Sequence, residues 1–200
     1  MGRSIRLLPA CALLALTACD RSPPAAHAAS APMTPPPVVA SSVDAEFEQL
    51  KSMAPVDACA TLTPEKLKQV FPNLTFEVHQ KLEPQMSGYV WDSRCIYWAG
   101  VGSMEFAKDT PTHTVEIFIA TSVSEAKAKA NLASRRESAA SGSGFQPQDV
   151  LGAEAYATTG TGVASLLFVK GPSQVQINLS DLNTPNDEKL RKAVALAQLL

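Results

Sequence analysis

The chain has 200 residues, with 17 Lys and Arg against 19 Asp and Glu, for a net charge of −2 at pH 7. Nucleic-acid binders need a cationic footprint. The densest cluster here, Lys127, Lys129, Arg135 and Arg136, is diluted by alanines and Glu137, so no nucleic-acid partner is expected.

Arg3 and Arg6 precede an apolar run from Leu7 to Ala18. The run is too short to span a bilayer, which takes roughly 20 apolar residues, and fits the core of a signal peptide. Its end, Leu16-Thr17-Ala18-Cys19, resembles the lipobox of bacterial lipoproteins. The resemblance implies removal of residues 1–18, lipidation of Cys19 and acylation of the new N-terminus. Each buried CH₂ contributes about 0.8 kcal/mol, so several chains on one residue would hold the protein on a membrane. That membrane is the partner the resemblance implies, with the protein in the cell envelope facing the periplasm. Asp20 resembles the residue that keeps enterobacterial lipoproteins at the inner membrane; it favours that membrane weakly and leaves the outer one open.

Residues 19–45 are rich in Pro, Ala and Ser. Such a composition buries no core and predicts a disordered tether with a reach of about 30 Å. Residues 46–200 then suffice for a single globular domain.

Cys11 falls in the signal and Cys19 is the lipid site, which leaves Cys59 and Cys95 as one possible pair. In an exported chain the expected outcome is a disulfide. Metal binding by the two thiolates would need His or carboxylate partners at suitable spacing, and none is adjacent.

Within the domain, a short helix is expected over 46–53. "TPEKLKQVFP" predicts a helix capped by Thr63, opened by Pro64 and stopped by Pro72. "LTFEVHQKL" alternates, with Leu74, Phe76 and Val78 on one side, and predicts a half-buried strand. "RCIYWAG" and "HTVEIFIA" predict two more strands. Ser122 with Glu125 reads as a capping box for a helix whose packing side is Val123, Ala126, Ala130 and Ala133. Ser141-Gly142-Ser143-Gly144 reads as a loop. A hairpin is expected around Gly160-Thr161-Gly162, then a strand with Val175, Ile177 and Leu179 inward and Gln174, Gln176 and Asn178 outward. The last helix is expected from Thr184, with Pro185 at its first position and Leu190, Ala193, Val194 and Ala197 as its stripe. The order α-β-β-β-α-β-β-β-α, with short turns between consecutive strands, predicts an α+β fold. Its sheet is mainly antiparallel, with helices packed on one face.

The run Cys59-Ala60-Thr61-Leu62-Thr63-Pro64, a second Cys in Cys95-Ile96-Tyr97-Trp98, Leu151-Gly152-Ala153-Glu154-Ala155-Tyr156 and a terminal helix together resemble small secreted lipoproteins of unknown function. The resemblance implies the single disulfide and a helix-on-sheet fold. It carries over no catalytic residue.

No cofactor motif is present. Gly160-Thr161-Gly162 lacks the Lys-Ser/Thr of a phosphate loop and precedes a strand. His79 and His113, with Glu77 and Glu116 nearby, could form a two-strand metal site if their strands pair; the bland alternative is that both are solvated. Tyr89, Trp91, Tyr97 and Trp98 gather both tryptophans and two of the three tyrosines of the chain. They form a candidate recognition surface, or else pack as core, with Trp91 the one expected to be exposed. The functional expectation is a membrane-anchored envelope lipoprotein acting as a non-enzymatic binding or accessory module for a protein or small ligand. Two alternatives are an immunity-type inhibitor of a secreted toxin or hydrolase, and an envelope hydrolase using His79 and His113.

Overall fold

A computed structural model describes residues 42–100, 111–140, 146–147 and 155–200. The signal, Cys19, most of the proposed tether, Ser141–Gly144 and Leu151–Glu154 lie outside the described residues. The elements are α1 (Ser42–Ser52), α2 (Ala58–Thr61), α3 (Pro64–Val70), β1 (Glu77–Ser87), β2 (Val90–Ala99), β3 (His113–Thr121), α4 (Glu125–Ala140), β4 (Gln146–Pro147), β5 (Ala155–Gly160), β6 (Val163–Lys170), β7 (Ser173–Ser180) and α5 (Asn186–Leu199). The fold is α+β. One antiparallel sheet runs in the order β1-β2-β3-β7-β6-β5-β4. No helix among the described residues is long and apolar enough to cross a membrane.

The sheet's period-2 pattern sorts its side chains. Val115, Ile117 and Ile119 of β3 pair in register with Leu179, Ile177 and Val175 of β7, and these meet Ala164, Leu166 and Phe168 of β6. This face forms the main core, closed by Leu62, Leu67, Ala193 and Leu196 of the α2–α3 segment and α5. Burying one such leucine contributes about 1.5–3 kcal/mol.

The opposite face is also covered in part, which departs from the expectation of helices on one side. Leu167 and Val169 of β6 point away from the main core and join Tyr156, Ala128 and Leu132 under α4. β6 is thus buried on both faces, and its Leu-Leu-Phe-Val run is continuous for that reason.

The packing side of α4 is also shifted. Ala128 and Leu132, four residues apart, are buried, whereas Ala126 and Ala130 are exposed. Ser124, not Ser122, caps this helix by accepting from Lys127 N at 3.2 Å. Ser122 is buried and its N–H donates to Pro172 O. Gln174, expected outward, is buried beneath α4 and donates to Ala128 O at 2.9 Å.

Thr63 caps α3 and Pro64 opens it, as the sequence predicts. One cap was missed. Asp57 accepts from Cys59 N and Ala60 N and nucleates the single turn of α2. α5 begins at Asn186, with Pro185 in the cap position and no side-chain cap bond. Ala193 and Ala197 are buried as expected, and Leu196 joins them.

β1 starts at Glu77, later than expected. Phe76 is buried just before it, and Val78 is 48% exposed. β1 is an edge strand, so one flank of the strand has no neighbour to bury it. Its register with β2 slips twice, between Val78 and Gln80 and between Leu82 and Gln85.

Candidate functional site

The disulfide joins Cys59 to Cys95, 36 residues apart, with a Cα–Cα distance of 5.1 Å. It fastens α2 to the core-facing side of β2. Tyr97, two residues on, therefore points to the same side. It is fully buried, and its hydroxyl donates to Leu62 O. Burial, reinforced by the negative charges of Asp57 and Glu65, pushes its phenol up to about 12. Tyr97 is a core residue and leaves the candidate recognition surface.

The other three aromatics occupy two places. Tyr89 is 52% exposed at the β1–β2 turn and meets Phe47 of α1 edge-on, with centroids 6.2 Å apart. Trp91 is half-buried rather than exposed, because its indole Nε1 donates to Leu50 O at 2.9 Å. These two residues mark the end of the sheet where α1 docks. Trp98 lies on the opposite face, stacked on His79 at 3.2 Å and 8°.

That stack separates the two histidines. His113 pairs with Ala99, a core residue, and faces the α3–α5 side. His79 stacks on Trp98, whose side chain projects from the other face of the sheet. One ion cannot bridge them, so the proposed His79–His113 pair does not assemble.

His113 instead belongs to a cluster that the sequence did not reveal. Its Nε2 lies 3.4 Å from Asp181 Oδ2 and its Nδ1 lies 2.9 Å from Thr112 Oγ1. Burial would raise the Asp181 carboxyl. Bonds from Thr184 and Asn183 N, with His113 beside it, hold it below the ordinary range. The arrangement superficially suggests a nucleophile, base and acid. However, Thr112 Oγ1 donates to Ala99 O at 3.2 Å, so the hydroxyl proton is already committed. The adjoining recess, walled by Phe71, Phe76 and Lys189, measures 10 Å³, about the size of one water. The cluster clamps the start of β3 to the β7–α5 loop. Gly100 permits the approach, since a Cβ there would strike Thr112 Oγ1.

On the outer face a polar chain crosses the sheet. Arg94 Nε lies 2.5 Å from Glu116 Oε1, a charge contact without an aligned N–H bond. Asn178 donates to Glu116, Gln176 to Asn178, and Arg135 of α4 to Gln176. An open hollow of 410 Å³ lies beside Arg135, between α4 and β5–β7. Of its polar groups, Arg135 donates to Gln176 and Ser138 donates to the Ser134 carbonyl. Nearby on β2, Asp92 has a buried Oδ1 without a partner, and burial raises its carboxyl.

At the α1 end the structure has a different kind of hollow. Ser93 Oγ donates to Val56 O at 2.7 Å and fixes the α1–α2 linker against β2. Between that linker, α2, the β6–β7 turn and the end of α5 lies a recess of 230 Å³. Its walls are Val56, Ile119, Pro172, Val175 and Leu200, with Thr61, Ser173 and Lys170 among the lining. These residues come from five separate segments, so no sequence motif marks the site. Among the described residues no group of three or more His, Cys, Asp or Glu could hold a metal.

No family model and no curated protein matches the chain. The crystal structure of the extracellular domain of PknH from Mycobacterium tuberculosis superposes with a TM-score of 0.49 at 12% identity. The alignment covers 73% of this chain and 97% of that one.

Proposed function

We propose that the chain is a membrane-tethered binding module of the cell envelope, held by lipid on Cys19, facing the periplasm and lacking chemistry of its own. The observation that carries the binding role is a convergence at one end of the sheet. Exposed Tyr89 and half-buried Trp91 lie where α1 docks, and the 230 Å³ apolar recess lies at the same end of the sheet, where Trp91 pairs with Thr121 and Thr121 with Ser173. Aromatic residues dominate binding hot spots, and apolar hollows with few polar groups are the usual ligand sites. The lipobox-like Leu16–Cys19 supports the anchor. The Cys59–Cys95 disulfide suits an oxidising compartment, and Asp20 leans the anchor toward the inner membrane. The hydrolase alternative loses its ligand pair, because His79 and His113 face opposite ways.

Two measurements test this. Metabolic labelling with an alkyne palmitate analogue should mark the wild-type chain and not Cys19→Ser; equal labelling of both would overturn the anchor. Capture from detergent-solubilised envelope should return a reproducible partner that Tyr89→Ala loses. An immunity-type role is distinguished if that partner is a toxin or hydrolase. Captures that return nothing reproducible, or that ignore Tyr89→Ala, would overturn the assignment of the binding end.

A further inference from the structure

The recess at the α1 end has an unusual balance of groups. Five of its eight lining residues are apolar, and both hydroxyls are already engaged. Thr61 Oγ1 donates to Asp57 O at 2.7 Å, and Ser173 Oγ bonds Thr121 Oγ1 at 2.8 Å. Thr61 has thus spent its proton within the fold, and Ser173 shares its hydroxyl with Thr121, so the recess is poor in free donors. Lys170 is exposed at the β6–β7 turn, and no carboxylate among the described residues pairs with it. The recess therefore offers an apolar pit and, at its rim, an ammonium that no carboxylate side chain among the described residues pairs with. At 230 Å³ it is smaller than the roughly 300–1,000 Å³ of a drug-sized site, which suits a single unbranched chain better than a ring system.

We infer that this recess binds an aliphatic carboxylate, with the chain between Val56, Ile119 and Val175 and the carboxylate on Lys170. Apolar burial supplies the affinity, and the ammonium sets the orientation and favours an anionic headgroup over a neutral one. Ser93 positions the site by holding Val56. The inference deepens the binding-module reading and rests on it.

The test uses octanoate as probe and the whole chain carrying Cys19→Ser, with its disulfide formed, so that neither attached lipid nor detergent competes. Titration calorimetry should register saturable binding, and methyl resonances of Ile119 and Val175 should shift. Lys170→Gln, at an exposed site, should weaken octanoate by about fivefold and leave octanol unaffected. Val56→Trp, at a half-buried rim position, should abolish binding of both. Absence of saturable octanoate binding, or binding indifferent to Val56→Trp, overturns the inference. So does equal weakening of octanoate and octanol by Lys170→Gln. If octanoate fails while envelope capture through Tyr89 succeeds, the acyl site falls and the binding-module reading stands. If anionic vesicles, and not free octanoate, shift the same methyls, the ligand is a bilayer lipid and the free-carboxylate assignment is wrong.

Discussion

The indole of Trp91 donates to the Leu50 carbonyl at 2.9 Å, across 41 residues of chain. This bond ties β2 to the last turn of α1. Leu50 is the one fully buried residue of that helix, and Glu46 reaches Lys127 of α4 at 3.0 Å through a solvent-exposed ion pair. Few interactions hold α1. Trp91→Phe keeps most of the ring area and removes the donor, leaving a carbonyl short of a partner. The expected cost is about 1 kcal/mol. Amide exchange should accelerate in α1 while β3 and β7 keep their protection. Uniform acceleration throughout the domain would contradict a local role.

The disulfide closes a 36-residue separation between α2 and the middle of β2. Chain-entropy reasoning puts its stabilisation at about 2–4 kcal/mol. Paired Cys59→Ala and Cys95→Ala substitutions should lower the denaturant midpoint accordingly without changing the sheet's circular dichroism. A midpoint within error of wild type would show that the bridge adds nothing to a packed α2.

Asp57 and Asp92 should respond to acid with opposite signs. Burial opposes ionisation of Asp57, but Lys81 at 2.8 Å and the N–H groups of Ala60 and Cys59 outweigh it and lower its carboxyl. Its stabilising share is full above the ordinary aspartate range and is lost as pH falls through its folded value. Asp57→Ala should therefore cost about 0.5–2 kcal/mol at neutral pH, and the gap from wild type should close in acid. A gap that stays constant with pH would assign the loss to packing alone.

Asp92 runs the other way. Burial raises its carboxyl, only partly offset by a bond from Ser87. Its ionised form is the less favoured one in the fold, so stability is lost as pH rises from its unfolded value through its folded one. Asp92→Asn should raise thermal stability at neutral pH by about 1 kcal/mol. That gain should vanish in acid, where Asp92 is itself neutral. A loss of stability at neutral pH would mean that the carboxylate has a partner in solution.

Legibility of the fold followed contrast between faces. β7 alternates large aliphatics with polar groups, β3 places β-branched aliphatics at every second position, and Val115, Ile117, Ile119, Val175, Ile177 and Leu179 are buried as the pattern required. α4 lacks that contrast. Its alanines are alike in size and occur on several faces, so its packing side could not be read from them; Leu132 was the informative residue. β1 misled because alternation says nothing about whether a strand has two neighbours. Tyr97 could have been placed. Once Cys95 is committed to an inward disulfide, the residue two positions on must face inward too. The recess could not be anticipated, since Val56, Ile119, Val175 and Leu200 meet only through strand register and the return of α5.

The two register slips in β1 bear on how copies of the chain meet. An unpaired strand is a template onto which another sheet can add. Here the outer strand runs 11 residues but breaks twice, carries Pro84 near the second break, and sets Lys81 and Glu83 along its length. The strand at the other margin, β4, has only two residues. Among the described residues neither margin offers a straight, uncharged run for edge-to-edge addition. The β1 margin therefore resists sheet-to-sheet fusion when many copies of this domain crowd together.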